Sequence, residues 1–323
     1  MTKVKSILVL DRDHWETLPP QASSFKTLYL DDGTACPELP QYNPLEGAIL
    51  NWTSGTTGHP KGVIHTQQYM HYMIRKSKLP MYTKGITTNI FFHAGAVLLP
   101  LDGGILNRFT IYFIKVEDYS VDVVLDCVEK YKPTFYMCSP TDFQVISCVQ
   151  NPKQDLASVA VIMPAGGKIS SKANENMKKI FPSLRFVYQF YGTSEVGGVC
   201  GTMKHGVLGS LRQGVQVYIR NRETGERLGP GEDGEIMAKT PTTMLKYINN
   251  QEETKKYFDE DGFAYMGDLG CYDEEGNLYF KERLSELLKM NNYWVGPGEI
   301  EDLLENIPGI VSLLDDSFPL YLT

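Results

Sequence analysis

A stretch rich in glycine and hydroxyl residues spans positions 53–62 and contains one lysine. It follows an apolar run, 47–52, that is typical of a β-strand. Glycines let the backbone turn with positive φ and approach a ligand closely, and hydroxyls with exposed N–H groups bind anions. Lys61 adds a positive charge for a charge-assisted contact with a triphosphate. The residues predicted to form this phosphate cradle are Thr53, Ser54, Gly55, Thr56, Thr57, Gly58 and Lys61.

The spacing differs from that of the common phosphate-binding loop, G-x-x-x-x-G-K-[ST]. Here Gly55 precedes Gly58 by three positions, and Lys61 is followed by Gly62. This difference disfavours an unrelated α/β nucleotide hydrolase. By composition alone, a flexible surface loop is the other interpretation of the stretch.

A second cluster of polar residues follows the apolar run 185–190 and contains Tyr191, Gly192, Ser194 and Glu195. An aromatic ring, a glycine, hydroxyls and a carboxylate stand together where a parallel strand would end. Ligands of parallel sheets bind at such ends, so the cluster is a candidate site. By composition alone, Glu195 is an ordinary solvated charge.

Other candidates are more isolated in the sequence. Gly166 and Gly167 follow an apolar run and permit a flat ligand to lie against the backbone. Asp268 follows a glycine, where its carboxylate can accept hydrogen bonds from two hydroxyls, and Arg283 lies further along the chain. His93 lies beside two phenylalanines. By composition alone, Asp268 would be a turn residue, Arg283 a surface charge and His93 a packed core residue.

The elements that must position these residues follow from apolar periodicity. Strand-like runs alternate with helical periods from about residue 88 to residue 200 and predict parallel crossovers in a layered α/β sheet. After residue 205, short apolar runs broken by turn signals predict a small antiparallel β-barrel or meander. The predicted strands of the first region are 110–114, 134–138, 159–163 and 185–190, and the predicted helices are 121–132, 141–149 and 170–180. Three parts are therefore expected: 1–204, 205–280 and 281–323. His65 and His71 are predicted as surface residues on a polar stretch.

Composition limits the function classes. The chain has 323 residues, 42% hydrophobic and 22% charged, and these fractions are ordinary for a soluble globular protein. A net charge of −8 without a basic stripe disfavours nucleic acid as a partner. Six scattered cysteines without a C-x-x-C pair suggest neither a zinc site nor a disulfide framework. With no apolar run of ~20 residues for a membrane span and no visible targeting signal, the expected location is cytoplasmic or peroxisomal.

The order T-S-G-T-T-G-x-P-K-G-V resembles the signature of the adenylate-forming (AMP-binding) superfamily. That superfamily includes acyl-CoA, aryl-CoA and 4-coumarate CoA ligases, beetle luciferases and peptide-synthetase adenylation domains. The resemblance implies the substrates ATP, coenzyme A and a small-molecule carboxylic acid, with Mg²⁺ accompanying ATP. It also implies a reaction through an acyl-adenylate and a place in fatty acid or phenylpropanoid metabolism.

The resemblance also implies roles for individual residues. The segment 191–195 is similar to Y-G-x-T-E, in which the aromatic ring stacks on adenine, the hydroxyl contacts phosphate and the glutamate holds Mg²⁺. Ser194 here replaces the usual threonine and keeps the hydroxyl. The implied catalytic residues are Lys61, His93 at the acyl pocket and Glu195. The implied binding residues are Gly166 and Gly167 beside adenine, Asp268 and Arg283 at the ribose or phosphate, and Lys289 in thioester formation.

The resemblance covers roughly residues 45–310 and departs from the family at both ends. Family members carry a longer segment before the signature and a complete small C-terminal domain with a late lysine that contacts the reacting phosphate. The chain is therefore expected to be truncated at both ends and to form acyl-adenylate slowly. The predicted function is an impaired ATP-dependent acid–thiol ligase, and the alternative is a non-catalytic relative or truncated product that binds nucleotide or a partner.

Overall fold

The computed structural model describes residues 7–9, 22–24, 41–53, 60–76, 84–89, 109–114, 119–204, 206–290, 293–297 and 300. The chain divides into two compact units, Met1–Tyr42 and Asn43–Thr323. In the first unit, β1 (Ile7–Val9) pairs in parallel with β2 (Ala22–Ser24).

The second unit mixes helices with parallel and antiparallel strands. Its first half contains β3 (Gly47–Thr53), β4 (Lys61–Thr66), α1 (Gln67–Lys76), β5 (Lys84–Thr87), β6 (Thr110–Phe113), α2 (Val121–Tyr131), β7 (Phe135–Cys138), α3 (Pro140–Ser147), β8 (Val161–Pro164), α4 (Ser171–Ile180) and β9 (Phe186–Val187). Its second half contains β10 (Gln189–Thr193), β11 (Gly197–Thr202), β12 (Gln216–Arg220), β13 (Gly234–Lys239), β14 (Lys246–Tyr247), α5 (Gln251–Lys256), β15 (Ala264–Tyr272), β16 (Leu278–Arg283), β17 (Leu288–Met290) and β18 (Tyr293–Val295).

A five-stranded parallel sheet has the order β6-β5-β7-β8-β9. The helices α2, α3 and α4 connect its strands, and each follows a serine whose hydroxyl accepts a backbone N–H bond: Ser120, Ser139 and Ser170. Such a cap satisfies one of the free donors at a helix start. The apolar faces of the helices and the sheet share one buried core, which includes Val124, Phe143 and Met177. The predicted layered α/β region is confirmed.

Antiparallel pairing dominates the rest of this unit. The strands β12-β13-β15-β16 form a four-stranded sheet, and β14-β4-β3 form a three-stranded one. Buried residues including Val199, Ile219, Ile236 and Met266 form a second core against the four-stranded sheet. The predicted antiparallel region after residue 205 is confirmed. No helix among the described residues is both long and apolar enough to cross a membrane.

The predicted strand 185–190 is two strands with different partners. β9 belongs to the parallel sheet, and Phe190 still forms a parallel bridge to Ala165. The chain then turns to antiparallel pairing between β10 and β11, with a register shift at Tyr191 and Gly192. The difference arises because pairing with the later strand β11 directs β10 away from the parallel sheet. The residues of the 191–195 cluster therefore lie at the junction of the two regions.

Candidate functional site

A cavity of about 380 Å³, here named the glycine–aspartate cavity, opens where β8, β10, β15 and β16 meet. The loop after β8 forms one wall, and the ends of β10 and β16 form others. Six residues that the sequence singles out line it together: Gly166, Gly167, Tyr191, Gly192, Asp268 and Arg283.

The residues that line the glycine–aspartate cavity include a buried carboxylate, Asp268. Asp268 is 2% exposed, and the Tyr191 hydroxyl donates a 2.6 Å hydrogen bond to its Oδ2. The Arg283 Nη1 atom lies 2.9 Å from Oδ1 and also donates to the Met266 carbonyl. Asp268 and Arg283 are paired directly across β15 and β16, so the sheet register brings their side chains together.

Two opposing effects set the charge of this carboxylate. Burial raises the pKa of Asp268, while the Arg283 charge and the Tyr191 hydrogen bond counteract the rise. Burial also raises the pKa of Tyr191 well above its ordinary value, so the hydroxyl stays protonated and donates. The side chain of Arg283 remains 40% exposed beside the buried acid. Asp268 and Arg283, with Tyr191 bonded to the acid, can therefore present a fixed acceptor and a cation to a polar ligand in the cavity.

Two glycines that line the glycine–aspartate cavity, Gly166 and Gly192, have different structural roles. Gly166 has a φ of 110°, in the region that favours glycine, and a Cβ added there would meet no heavy atom within 4 Å. A Cβ at Gly192 would instead lie 2.0 Å from the Gly197 carbonyl oxygen. Gly166 therefore leaves open space at the cavity, whereas Gly192 permits the close approach of β10 and β11.

A second cavity of about 510 Å³, here named the lysine cavity, contains Lys61. The Lys61 Nζ atom lies 2.7 Å from Glu253 Oε2 and 5.3 Å from the centre of the Tyr247 ring. The Tyr247 hydroxyl donates a 2.9 Å hydrogen bond to Glu195 Oε1. One tyrosine thus connects the lysine of the glycine-rich stretch to the carboxylate of the 191–195 cluster.

Tyr257 extends this connection. Its ring packs edge-on against Tyr247 with centres 5.8 Å apart, and its hydroxyl lies 3.4 Å from Thr193 Oγ1. Burial, with the negative charge of Glu195, raises the pKa of Tyr257, so this hydroxyl is neutral. Sequence reasoning missed Tyr247, Glu253 and Tyr257. No spacing pattern marks them, because they reach the site through the pairing of β14 with β4 and through the placement of α5 after β14.

The surface prediction is wrong for His65. His71 is exposed, but His65 is fully buried, and its ring stacks on Tyr69 with centres 4.0 Å apart. The cause is strand alternation, since Val63 and His65 point to the same buried side of β4. The Nε2–H group of His65 donates to the Ser194 carbonyl at 2.8 Å. Burial lowers the pKa of His65 to about 4, so the ring is neutral near pH 7.

The remaining predicted site residues are placed as follows. Thr53 is the last residue of β3, and Lys289 lies within β17. Ser194 is half-buried and uses its carbonyl to accept the His65 bond. In the described part of the chain, no group of three or more His, Cys, Asp and Glu side chains could hold a metal ion. The predicted residues outside the described part are Ser54, Gly55, Thr56, Thr57, Gly58 and His93.

Comparison with known proteins gives a family match over most of the chain. A family model described as AMP-binding enzyme matches residues 1–248. Luciferin 4-monooxygenase of Nipponoluciola cruciata is 29% identical, with 96% of this chain and 59% of that protein covered. 4-Coumarate–CoA ligase of Pinus taeda is 28% identical, with 86% and 55% covered.

A solved structure gives the same fold. The luciferase-like enzyme from the nonluminescent Zophobas morio mealworm matches with a TM-score of 0.73 at 24% identity, covering 88% of this chain and 67% of that one. The chain spans somewhat more than half the length of the two curated relatives, 59% and 55%.

Proposed function

The chain belongs to the AMP-binding enzyme family, within the adenylate-forming superfamily, and from that membership we propose that it binds ATP and activates a carboxylic acid as an acyl-adenylate. The second half of the proposed reaction transfers the acyl group to the thiol of coenzyme A. 4-Coumarate–CoA ligases among the relatives support this acid–thiol ligase reaction.

The observation that carries the proposal is the composition of the glycine–aspartate cavity. Gly166, Tyr191, Asp268 and Arg283 come from four separate segments and line the same space. We assign this cavity to the nucleoside. Tyr191 and Arg283 hold the Asp268 carboxylate in position, and this carboxylate would accept hydrogen bonds from the ribose hydroxyls. The open space beside Gly166 would admit the base. A carboxylate suits this role because it only accepts when ionised.

The phosphates are assigned to Lys61, and the 53–58 stretch keeps its predicted role as a phosphate cradle. Lys61 offers an ammonium that can bind phosphate oxygens, and Thr53 and Ser194 are proposed to add hydroxyl contacts. Glu195 is a half-buried carboxylate whose Oε1 is oriented by the Tyr247 hydroxyl. One such carboxylate suits a Mg²⁺ that arrives with ATP, since this ion commonly takes one or two carboxylates together with phosphate oxygens and waters. When bound, it supplies charge neutralisation for the phosphates.

The proposed chemistry needs no protein nucleophile. The substrate carboxylate attacks the α-phosphorus of ATP, pyrophosphate leaves, and a thiol then displaces AMP from the acyl-adenylate. The chain contributes by holding the reactants in line and by offsetting negative charge on the departing pyrophosphate through Lys61. Lys289 is proposed to act in thioester formation and His93 at the acid pocket.

Acid-dependent exchange of labelled pyrophosphate into ATP tests this proposal. The assay uses a panel of fatty and aromatic acids, and we expect at least one to support exchange. Lys61→Met should reduce exchange about 10- to 100-fold, the loss expected for one charge-assisted hydrogen bond. Lys246→Met is the matched control, because Lys246 is an exposed lysine on the neighbouring strand β14.

Equal exchange in Lys61→Met and in the wild-type chain would contradict the role of Lys61. Binding of ATP without exchange for any acid would favour the alternative of a non-catalytic nucleotide-binding relative. Absence of both binding and exchange would contradict the proposed function as a whole.

A further inference from the structure

The lysine assigned to phosphate already has an internal counter-ion. Lys61 Nζ lies 2.7 Å from Glu253 Oε2, and the two side chains are only 19% and 34% exposed. The same ammonium lies 5.3 Å from the centre of the Tyr247 ring. An aromatic face and a carboxylate thus hold the cation from two directions.

The position of Glu253 is fixed by its own helix. It lies in the first turn of α5, where its backbone N–H donates to the side chain of the capping residue Asn250. Its other carboxylate oxygen, Oε1, lies 3.5 Å from Lys256 Nζ. Each oxygen of the Glu253 carboxylate therefore faces a cation.

A phosphate group and the Glu253 carboxylate would both bind the ammonium group of Lys61. Both are anions, and a phosphate that approaches the Lys61 ammonium within hydrogen-bond distance also approaches the carboxylate bonded to it. Like charges so close repel each other, and the partly buried setting screens that repulsion less than bulk water does. Adenosine, which has no phosphate, meets no such competition in the glycine–aspartate cavity.

We propose that Glu253 competes with nucleotide phosphates for Lys61 and so weakens the binding of ATP but not of adenosine. The inference rests on the role assigned to Lys61 in the proposed function. Glu253 is thus a positioning residue, which holds the ammonium against Tyr247 until a triphosphate displaces the carboxylate. A contrary role, in which Glu253 helps to bind the cation that accompanies ATP, predicts the opposite effect of its removal.

Calorimetric titration of the full chain with ATP plus Mg²⁺, and separately with adenosine, distinguishes these roles. Glu253→Gln removes the charge and keeps the shape. We expect it to tighten ATP binding about two- to fivefold, the range for one partly exposed ion pair, and to leave adenosine binding unchanged. Glu252→Gln is the matched control, since it removes one charge from the exposed neighbouring position of the same helix.

Two further variants complete the test. In a Lys61→Met background, Glu253→Gln should no longer tighten ATP binding, because the contested cation is gone. Glu253→Ala should reproduce the gain of Glu253→Gln, and thermal unfolding of each variant verifies that it is folded.

The outcomes separate this inference from the proposed function. Weaker or unchanged ATP binding in Glu253→Gln, with a loss in Lys61→Met, overturns the competition and leaves the role of Lys61 standing. An equal gain in Glu252→Gln also overturns it, because net charge would then explain the effect. Unchanged ATP binding in Lys61→Met overturns both the role of Lys61 and the competition.

Discussion

Acidification should destabilise the chain through His65. The ring is buried against Tyr69 and donates to the Ser194 carbonyl, and its pKa is lowered from 6.5 to about 4 in the folded state. Burial is the main cause, because desolvation disfavours the charged ring. Between these two pKa values the unfolded chain binds more protons than the folded chain. The contribution of the neutral His65 ring to the free energy of unfolding is therefore fully present above pH 6.5 and is lost as the pH drops towards 4.

The magnitude follows from the two pKa values. Between about pH 7 and pH 5, proton binding to His65 in the unfolded state should lower the free energy of unfolding by about 2 kcal/mol. Other titrating groups add their own pH dependence, so the informative quantity is the difference between the wild-type chain and a variant without this imidazole. His65→Gln serves this purpose, since glutamine can still donate to the Ser194 carbonyl but does not titrate.

Urea unfolding at several pH values between 5 and 7 measures the effect. We expect the wild-type chain to lose about 2 kcal/mol more than His65→Gln over this range. His71→Gln is the control for the loss of one histidine, because His71 is exposed on the helix that follows β4. Equal pH dependence in the wild-type chain and His65→Gln would refute the reasoning that burial keeps His65 neutral.

Three further substitutions test the local structure of the site by urea unfolding. Tyr191→Phe removes the hydroxyl bonded to buried Asp268 and should cost about 1–3 kcal/mol, whereas a negligible cost would mean that the acid does not depend on this donor. Gly192→Ala places a Cβ 2.0 Å from the Gly197 carbonyl oxygen and should cost about 1–3 kcal/mol, and wild-type stability would contradict the tight approach of β10 and β11. Ser139→Ala removes the cap of α3 and should cost about 1 kcal/mol, and no loss would show that the cap is dispensable.

The parallel region could be predicted because its signals are local. The apolar residues of α2 recur at helical spacing, and Ser120 caps the helix where the apolar period begins. The strands β7 and β8 are continuous apolar runs that are buried on both faces. In contrast, the division of 185–190 into β9 and β10 depends on a partner strand, β11, and no feature within the run itself reports that partner.

The candidate site could be predicted only in part. The resemblance indicated Asp268 and Arg283, but their direct contact follows from the register of β15 and β16, which the sequence does not reveal. The contact of Lys61 with Glu253 spans 192 positions and depends on the placement of α5. The surface prediction for His65 fails because its neighbours in the sequence are polar, whereas alternation along β4 directs its ring into the core.

A crystal structure of this chain grown with ATP and Mg²⁺ tests the central claim most directly. The account predicts adenosine in the glycine–aspartate cavity, with its ribose hydroxyls at Asp268, its phosphates extending towards Lys61 and the Glu253 carboxylate displaced from that lysine. A nucleotide bound elsewhere, or a cavity still empty in crystals grown at saturating ATP, would contradict it.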